Sequence, residues 1–239
     1  MNDERRAEPS WHPIADDIVV ISFPWRALGI DFKRNVTLIR LADGRLLLHS
    51  TAAFTPQDVA AITRFGQPAW LIDATLIHDT FAKEGHAAFP NLPYLAPDGF
   101  MKASGIPTIP LDPPPTDWSG QIDVLKIQGI RTNEHILFHR RSRTAVVADL
   151  FFSFPPDPRG WPSFFARRIM GLPHLFGVSR LFRLVVIRDQ QLFEQSMKTF
   201  LEWDFERLVV AHWKPVETQA KAAVERALSL VTRNSTFSS

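Results

Sequence analysis

The hairpin predicted at residues 34–49 (RNVTLIRLADGRLLLH) constrains the fold more than any other segment of the sequence. Apolar runs lie on both sides of Asp43-Gly44, a dipeptide that suits a tight turn with positive φ between antiparallel strands. A β-branched run at 17–23 predicts a strand before the hairpin. After it, Thr55 and Pro56 predict the start of a helix that Gly66 ends. The chain therefore opens with antiparallel strands followed by a helix.

Strands and helices alternate along the rest of the chain. Apolar runs at 69–73, 122–127, 134–139, 144–150 and 207–212 predict strands, and apolar spacing predicts helices at 193–204 and 217–231. Hairpins combined with this alternation favour stacked sheets with helices outside over a simple parallel sheet. We therefore predict a mixed α/β (α+β) fold.

Length and composition indicate one folded unit. A chain of 239 residues with 45% hydrophobic residues can bury a large core as one domain, which we place at residues 17–232. Residues 1–16 are predicted to be a polar N-terminal arm, and residues 233–239 a flexible tail. Within the domain, a segment near 156–184 combines apolar side chains with arginines and predicts a helical flap.

Three apolar strands end in a carboxylate or an imidazole. Asp73 ends the first and is followed by His78 and Asp79, Asp149 ends the second, and His212 ends the third. Strand ends along one sheet edge are where open α/β sheets place their sites, and two imidazoles with carboxylates can bind zinc, manganese or ferrous iron. The alternative is structural: the aspartates cap turns or helices, and His212 is a hydrogen-bonded core residue.

Three stretches also match a known pattern: residues 35–50 (NVTLIRLADGRLLLHS), residues 139–150 (HRRSRT followed by ADL at its end) and residues 203–212 (WDFERLVVAH). Together with residues 71–90 they resemble the metallo-β-lactamase fold superfamily, and within it the branch designated domain of unknown function 4336. The resemblance covers about residues 10–215. It implies an αββα four-layer sandwich with its site at one sheet edge.

The resemblance also implies a set of metal ligands. The His-x-His-x-Asp-His motif of the superfamily falls on residues 73–78, where only His78 is kept, with Asp79 as the choice if the alignment slips by one residue. His139 resembles the later histidine, Asp149 the bridging aspartate and His212 the final histidine. Thr75 and Ile77 replace two ligands, so we expect one divalent metal ion instead of two. Zinc is expected first, iron or manganese are the alternatives, and a protein without metal remains the other hypothesis.

Two functions are consistent with that site. The first is a metal-dependent hydrolase of an unidentified small molecule, in which His139 or Asp73 orients the attacking water or moves its proton. The second is a non-catalytic binding protein that has kept the scaffold and lost the metal. Retention of His78, His139, Asp149 and His212 favours the first, and loss of most of the first motif favours the second.

Composition excludes several other classes. The chain has no cysteine, no glycine-rich phosphate loop and no Gly-x-Ser-x-Gly elbow, and its formal net charge of +2 is too small to indicate a nucleic-acid partner. For residues 161–183, a flap packed on the sandwich is favoured over contact with a membrane surface. With no secretory signal and no transmembrane run, we expect a cytoplasmic location. The sequence leaves the oligomeric state open.

Overall fold

The computed structural model describes residues 9–232, and most of its strands lie in two facing sheets. The first sheet has seven strands in the order β1 (Ser10–Ala15), β2 (Ile18–Phe23), β5 (Arg34–Arg40), β6 (Arg45–His49), β7 (Gln67–Ile72), β8 (Tyr94–Ala96) and β9 (Ile109–Pro110). The second sheet has four, in the order β10 (Ile122–Lys126), β11 (His135–His139), β12 (Thr144–Val146) and β15 (Arg207–Val209). The predicted hairpin is formed by β5 and β6, which pair antiparallel.

Six α-helices accompany the sheets in the described part of the chain. They are α1 (Pro56–Phe65), α2 (Ala82–Ala88), α3 (Phe100–Ser104), α4 (Gly160–Phe164), α5 (Gln190–Glu202) and α6 (Ala220–Thr232). The predicted cap of α1 forms: Thr55 and Asp58 make a reciprocal capping box, which satisfies backbone donors at the start of the helix. Asp189 caps α5 by accepting from the Leu192 backbone N–H.

Each central strand is apolar on both faces, and this fixes the order of the layers. In β2, Ile18 and Val20 pack between the two sheets, whereas Val19 and Ile21 pack toward α1 and α2. In the second sheet, Val146 faces the first sheet and Ala145 faces α5 and α6. Strands covered on both faces read as continuous apolar runs, as these do. The result is four layers, helix–sheet–sheet–helix, which confirms the predicted αββα sandwich.

The predicted flap is helical only in part. It contains α4, which continues into a π-helical turn at Phe165–Ile169, and a second π-helical turn at Phe182–Val186. Between them the chain turns at Gly171, whose positive φ of 68° suits glycine, and then forms the short strand β14 (Phe176–Gly177), which pairs with β13 (Phe152–Ser153). A small hairpin of β3 (Arg26–Ala27) and β4 (Ile30–Asp31) lies beside the flap, because the Trp161 indole N–H donates to the Leu28 carbonyl.

The predicted N-terminal arm differs from the structure in the part that is described, residues 9–16; residues 1–8 lie outside it. Within the predicted arm 1–16, residues 10–15 form β1 and pair with β2, so this part of the arm belongs to the first sheet. The pairing is compatible with polar side chains because β1 is an edge strand with one open side. The predicted tail at 233–239 lies outside the described residues. None of the helices in residues 9–232 is long and apolar enough to cross a bilayer.

Candidate metal centre

The site lies where the carboxyl ends of β7, β12 and β15 come together at one edge of the sandwich. Backbone hydrogen bonds join the two sheets there: His135 N–H donates to the Ala74 carbonyl at 2.8 Å. The buried amide of Asn35 also donates to the carbonyls of Val210 and Trp213, each at 2.9 Å. These cross-sheet bonds hold the loops that follow β7 and β15 near each other.

Three side chains from those loops converge. Nε2 of His78 lies 3.2 Å from Oδ2 of Asp149, and Nε2 of His212 lies 3.3 Å from Oδ1 of the same carboxylate. One ligand atom from each residue can be chosen so that all lie within 4.8 Å of one another. The side chains are sequestered, with residue exposures of 2% for His78, 9% for Asp149 and 5% for His212. The structure thus brings together three of the residues that the sequence singled out.

Hydrogen bonds orient the two imidazoles toward the carboxylate. Nδ1 of His212 is 2.7 Å from the Lys33 carbonyl, which can only accept, so Nδ1 donates this hydrogen bond and Nε2 faces Asp149. Nδ1 of His78 is 3.3 Å from the Ser50 hydroxyl. Nε2 of His78 and Oδ1 of Asp149 are buried without a hydrogen-bond partner of suitable geometry. Unpaired buried polar atoms are costly, and these converge on a shared space.

The electrostatics favour the protonation states that bind metal. Burial and the positive charge of Arg34 lower the pKa of His78 to about 4, so its imidazole is neutral at neutral pH. Burial alone would raise the pKa of Asp149, but the two facing histidines outweigh it and hold that pKa well below its usual range. In these states Asp149 is an ionised carboxylate and His78 a neutral imidazole, the forms that bind metal.

A metal ion fits this donor set. Zinc binds histidine nitrogen and carboxylate oxygen at ~2.1 Å in tetrahedral sites, which puts neighbouring ligand atoms ~3.4 Å apart. The two measured nitrogen–oxygen separations, 3.2 and 3.3 Å, are close to that value. Two neutral imidazoles and one carboxylate also leave an open position for water or substrate, as catalytic zinc sites require.

Glu134 supports the loop that carries Asp149. Its buried carboxylate accepts from the backbone N–H groups of Ala148 (2.9 Å), Leu150 (3.1 Å) and Asp149 itself (3.3 Å). Burial and the charge of Asp149 raise the pKa of Glu134 to about 8, against the effect of those three hydrogen bonds. Glu134 thus fixes the backbone on both sides of Asp149.

Aromatic rings surround His212. Trp25 stacks on the imidazole at 5.1 Å between centroids, Phe152 stacks at 6.1 Å, and Phe32 meets its edge at 5.8 Å. Trp213 follows in the chain and packs on Phe32 at 4.8 Å. These rings restrict rotation of His212 and leave an apolar wall on this side of the site.

Asp73 occupies a different position from the one predicted for a catalytic group. It is fully buried, and its carboxylate faces Arg34 (3.5 Å), the hydroxyl of Thr51 (3.4 Å) and the hydroxyl of Tyr94. Burial raises its pKa to about 6, although Arg34 and the hydroxyl donors act in the opposite direction. Arg34 also donates to the His78 carbonyl at 3.2 Å. Because both oxygens are engaged in the interior, Asp73 positions the 73–78 loop instead of contacting substrate.

The direction of strand β11 corrects the prediction that His139 acts at the metal centre. β11 runs antiparallel to β12, and His139 pairs with Thr144 at the start of β12, whereas Asp149 follows the end of that strand. Its Nδ1 is hydrogen-bonded to the Ser142 hydroxyl at 2.8 Å. His139 therefore lies at the opposite end of the sheet and cannot serve as a ligand or proton carrier at this site.

The remaining positions of the first motif also lie outside the ligand group. Asp79 begins a 3₁₀ turn at Asp79–Phe81, and the ligand group found within residues 9–232 does not include it. Thr75 is buried and donates to the Thr132 carbonyl at 3.2 Å, and Ile77 is half exposed. Within the part of the chain that the structure describes, one group of potential metal ligands is therefore found, whereas the complete motif would help to form two metal sites.

Three supporting residues were not predicted from the sequence: Arg34, Asn35 and Glu134. Each is a polar residue directly before or at the start of an apolar strand, β5 or β11, and is almost fully buried. A charged or amide side chain at the start of a continuous apolar run was the available signal, because such a group must find partners when buried.

Comparison with known proteins supports the fold. No protein-family profile matches the chain, and no curated protein sequence matches it. Among solved structures, a metallo-β-lactamase from Erythrobacter litoralis is similar at a TM-score of 0.66 and 15% identity, over 96% of this chain and 98% of that one. The DIM-1 metallo-β-lactamase gives 0.64 and 13%, over 97% and 100%. FIM-1 from Pseudomonas aeruginosa in its mono-zinc form gives 0.63 and 9%, over 96% and 99%. The chain therefore has the metallo-β-lactamase fold.

Proposed function

We propose that this protein is a metal-dependent hydrolase with a single metal ion held by His78, Asp149 and His212. The convergence of two imidazole nitrogens on one buried carboxylate carries the proposal. The mono-zinc form of FIM-1 supports it by showing that this fold can hold one zinc ion in that protein. The narrower assignment to domain of unknown function 4336 remains a prediction, as does the substrate, for which esters, thioesters, phosphodiesters and lactams are the candidates.

The residues around the site have distinct parts in this function. His212 is held by Lys33 with Nε2 directed at the site, and Asp149 is fixed by Glu134 through the backbone. Trp25, Phe32 and Phe152 exclude water from one side of the imidazole. A divalent metal bound there lowers the pKa of a coordinated water and polarises the bond to be cleaved. Asp73 and His139 take no part in the chemistry.

We propose zinc as the metal, with iron and manganese as the alternatives. Two histidines and one carboxylate with an open position are an accepted catalytic zinc set, and the same donors also suit ferrous iron and manganese. Ile77 stands where the superfamily motif has another carboxylate. That replacement, together with Thr75 in place of a histidine of the motif, supports a degenerate site with reduced affinity for metal.

The burial of the ligands favours a second candidate function, a binding protein without catalysis. All three residues of the group are less than a tenth exposed, and aromatic rings cover His212. A substrate that must reach the metal needs an open path. In this alternative the scaffold is kept and the three side chains form a buried polar group without metal.

Metal analysis of protein purified without a histidine tag tests the proposal. After reconstitution with zinc, iron or manganese, we expect about one ion per chain, as in a single three-ligand site. Asp149→Ala should weaken binding more than about a hundredfold, because loss of an outer partner alone can cost that much. Asp204→Ala, at an exposed aspartate paired with Arg143, is the matched control and should retain the metal.

Hydrolysis assays then separate the two candidates. Turnover of one of the candidate ester, thioester, phosphodiester or lactam substrates that disappears in Asp149→Ala and persists in Asp204→Ala supports the hydrolase. Absence of both metal and turnover supports the binding protein, and stoichiometric metal without turnover of any of these substrates contradicts the hydrolase. A chain that takes up none of the three metals contradicts the metal site.

A further inference from the structure

The flap and the hairpin beside it form a surface whose composition differs from the rest of the chain. Residues 158–188 contain six of the 27 basic residues and none of the 25 acidic ones, so the remaining chain is acidic on balance. The basic residues are Arg159, Arg167, Arg168, Arg180, Arg183 and Arg188. Within residues 9–232 only Arg159 among these forms an ion pair, with Asp157 at 3.2 Å. We refer to residues 158–188 together with Leu28 as the flap surface.

Large apolar side chains are exposed on the same surface. Leu184 is 75% exposed, Leu28 69% and Leu181 60%. Trp161, Phe164, Ile169 and Val185 are also exposed. Packing on the sandwich does not account for them, because that role belongs to the inner face of the flap, where Phe165 and Met170 are buried. Exposed apolar residues gathered in one segment mark an interaction site more often than scattered ones do.

Contacts within the flap surface join its parts. The Trp161 indole donates to the Leu28 carbonyl at 2.9 Å, and the Trp161 and Phe164 rings stack at 5.8 Å. The Arg180 N–H donates to the Met170 carbonyl at 2.7 Å, which brings the start of the second π-helical turn against the end of the first. Ile169 and Leu181 flank that bond. These contacts join the Leu28 turn, α4 and the start of the second π-helical turn, and Leu184 and Val185 lie within that turn.

Leu28 adds an argument from backbone strain. Leu28 and Gly29 have φ values of 52° and 75° in the turn between β3 and β4. Such turns favour Asn or Asp before Gly, because a branched apolar residue is strained at positive φ. A leucine in this turn destabilises the fold relative to Asn or Asp. It also exposes an apolar side chain beside Trp161.

We propose that the flap surface docks on an anionic lipid bilayer. Aliphatic and aromatic side chains interleaved with arginines match the interface between acyl chains and negatively charged headgroups. A second copy of the chain is a poorer occupant, because a symmetric contact would bring the unpaired arginines of both copies together. An acidic polypeptide would match the charge but would leave the side chains of Leu28 and Leu184 without an apolar partner. The sequence alone favoured a flap packed on the sandwich; the structure shows that the inner face fulfils that role and leaves the outer face free.

Docking would also place the bilayer near the candidate metal centre. The Trp161 ring contacts Phe165 at 6.0 Å, Phe165 meets Phe32 at 6.0 Å, and Phe32 meets His212 at 5.8 Å. The docking proposal itself does not depend on the metal or on hydrolysis. The two proposals can therefore fail separately.

Co-sedimentation of the full chain with vesicles tests the docking. We expect binding to phosphatidylcholine vesicles that contain phosphatidylglycerol as a third of the lipid, weakening with added salt, and little binding to pure phosphatidylcholine. Arg168→Glu combined with Arg188→Glu should reduce binding more than about tenfold, since each basic residue near an anionic surface is worth about fivefold. Arg64→Glu, an exposed reversal on α1, is the charge control and should bind as the unchanged protein does.

A second pair of variants tests the apolar part. Leu28→Asn relieves the strained turn, so the protein should remain folded, and together with Leu184→Ser it should reduce vesicle binding at least about fivefold through lost apolar burial. Met101→Ser, at a side chain 55% exposed away from the flap, is the control and should bind normally.

Four outcomes of the binding assays would overturn the proposal. The first three are failure to bind anionic vesicles at low salt, equal binding to neutral and anionic vesicles, and equal losses of vesicle binding in the control variants. The fourth is binding to polyglutamate that is as strong as binding to vesicles and is unchanged by the two leucine substitutions. The last result would assign the surface to an acidic polypeptide. A dimer in sedimentation that Leu184→Ser dissociates would likewise assign it to a second copy and overturn the bilayer.

Discussion

Asp73 and Asp149 are both buried aspartates at the carboxyl ends of strands, yet their surroundings differ. Asp73 is enclosed by one cation and two hydroxyl donors, Arg34, Thr51 and Tyr94, and burial raises its pKa to about 6. Asp149 faces two imidazoles, its pKa is lowered, and its Oδ1 has no hydrogen bond.

The difference shows that burial at a strand end does not identify a ligand. A carboxylate whose oxygens are all engaged by donors of the protein has no capacity left for a cation. One that faces imidazole nitrogens and keeps an oxygen without a hydrogen bond can still bind a cation. In the sequence both aspartates end an apolar strand in the same way. Only their neighbours in the structure show which one is a structural residue and which one is a candidate metal ligand.

The largest expected effect that separates them is on stability. Asp73→Ala should lower the free energy of unfolding by about 3 kcal/mol, because it leaves Arg34 as a buried charge without its partner. The folded variant should still bind metal stoichiometrically, unlike Asp149→Ala. Denaturant unfolding and metal analysis of both variants measure this. Loss of metal from folded Asp73→Ala would remove the distinction between the two carboxylates.

The pH dependence of that stability difference sharpens the comparison. In the folded protein the pKa of Asp73 is about 6, above its ordinary value of 3.8, so folding favours the protonated form. The pH-dependent part of the stability that Asp73 contributes is therefore complete below its unfolded pKa and is lost as pH rises through about 6. The difference in unfolding free energy between metal-free unchanged protein and Asp73→Ala should shrink by about 2 kcal/mol from pH ~4 to pH ~7. A difference that grows with pH would contradict the role given to burial at Asp73.

Much of the fold could be predicted because its determinants are local. The Asp43-Gly44 turn, the Thr55 cap and the continuous apolar strands each have one satisfactory structure, and together they require covered sheets. The flap was predicted less well. Gly171 and short strand pairing interrupt its helical pattern, and the pairing of β13 with β14 depends on a partner far along the chain.

The site was predictable in part for the same reason. His78, Asp149 and His212 follow apolar runs whose carboxyl ends meet, so strand position alone located them. His139 looked equivalent because it also ends an apolar run, but that run is antiparallel to its neighbour, and direction is a property of the sheet. Glu134 precedes an apolar run, which indicates burial, but its partners are backbone N–H groups, and these the sequence does not reveal.

His139 provides the smallest expected effect and a baseline for the comparison. It is a buried ionisable residue at a strand end like Asp73 and Asp149, but it lies at the edge away from the metal centre. His139→Gln should leave metal affinity unchanged and cost about 1 kcal/mol of stability, the value of its hydrogen bond to Ser142. Metal titration and denaturant unfolding check both parts. A clear fall in metal affinity would show that the two edges of the sheet are coupled. Residues of the strand that joins the edges would then also influence metal binding, although they are not ligands.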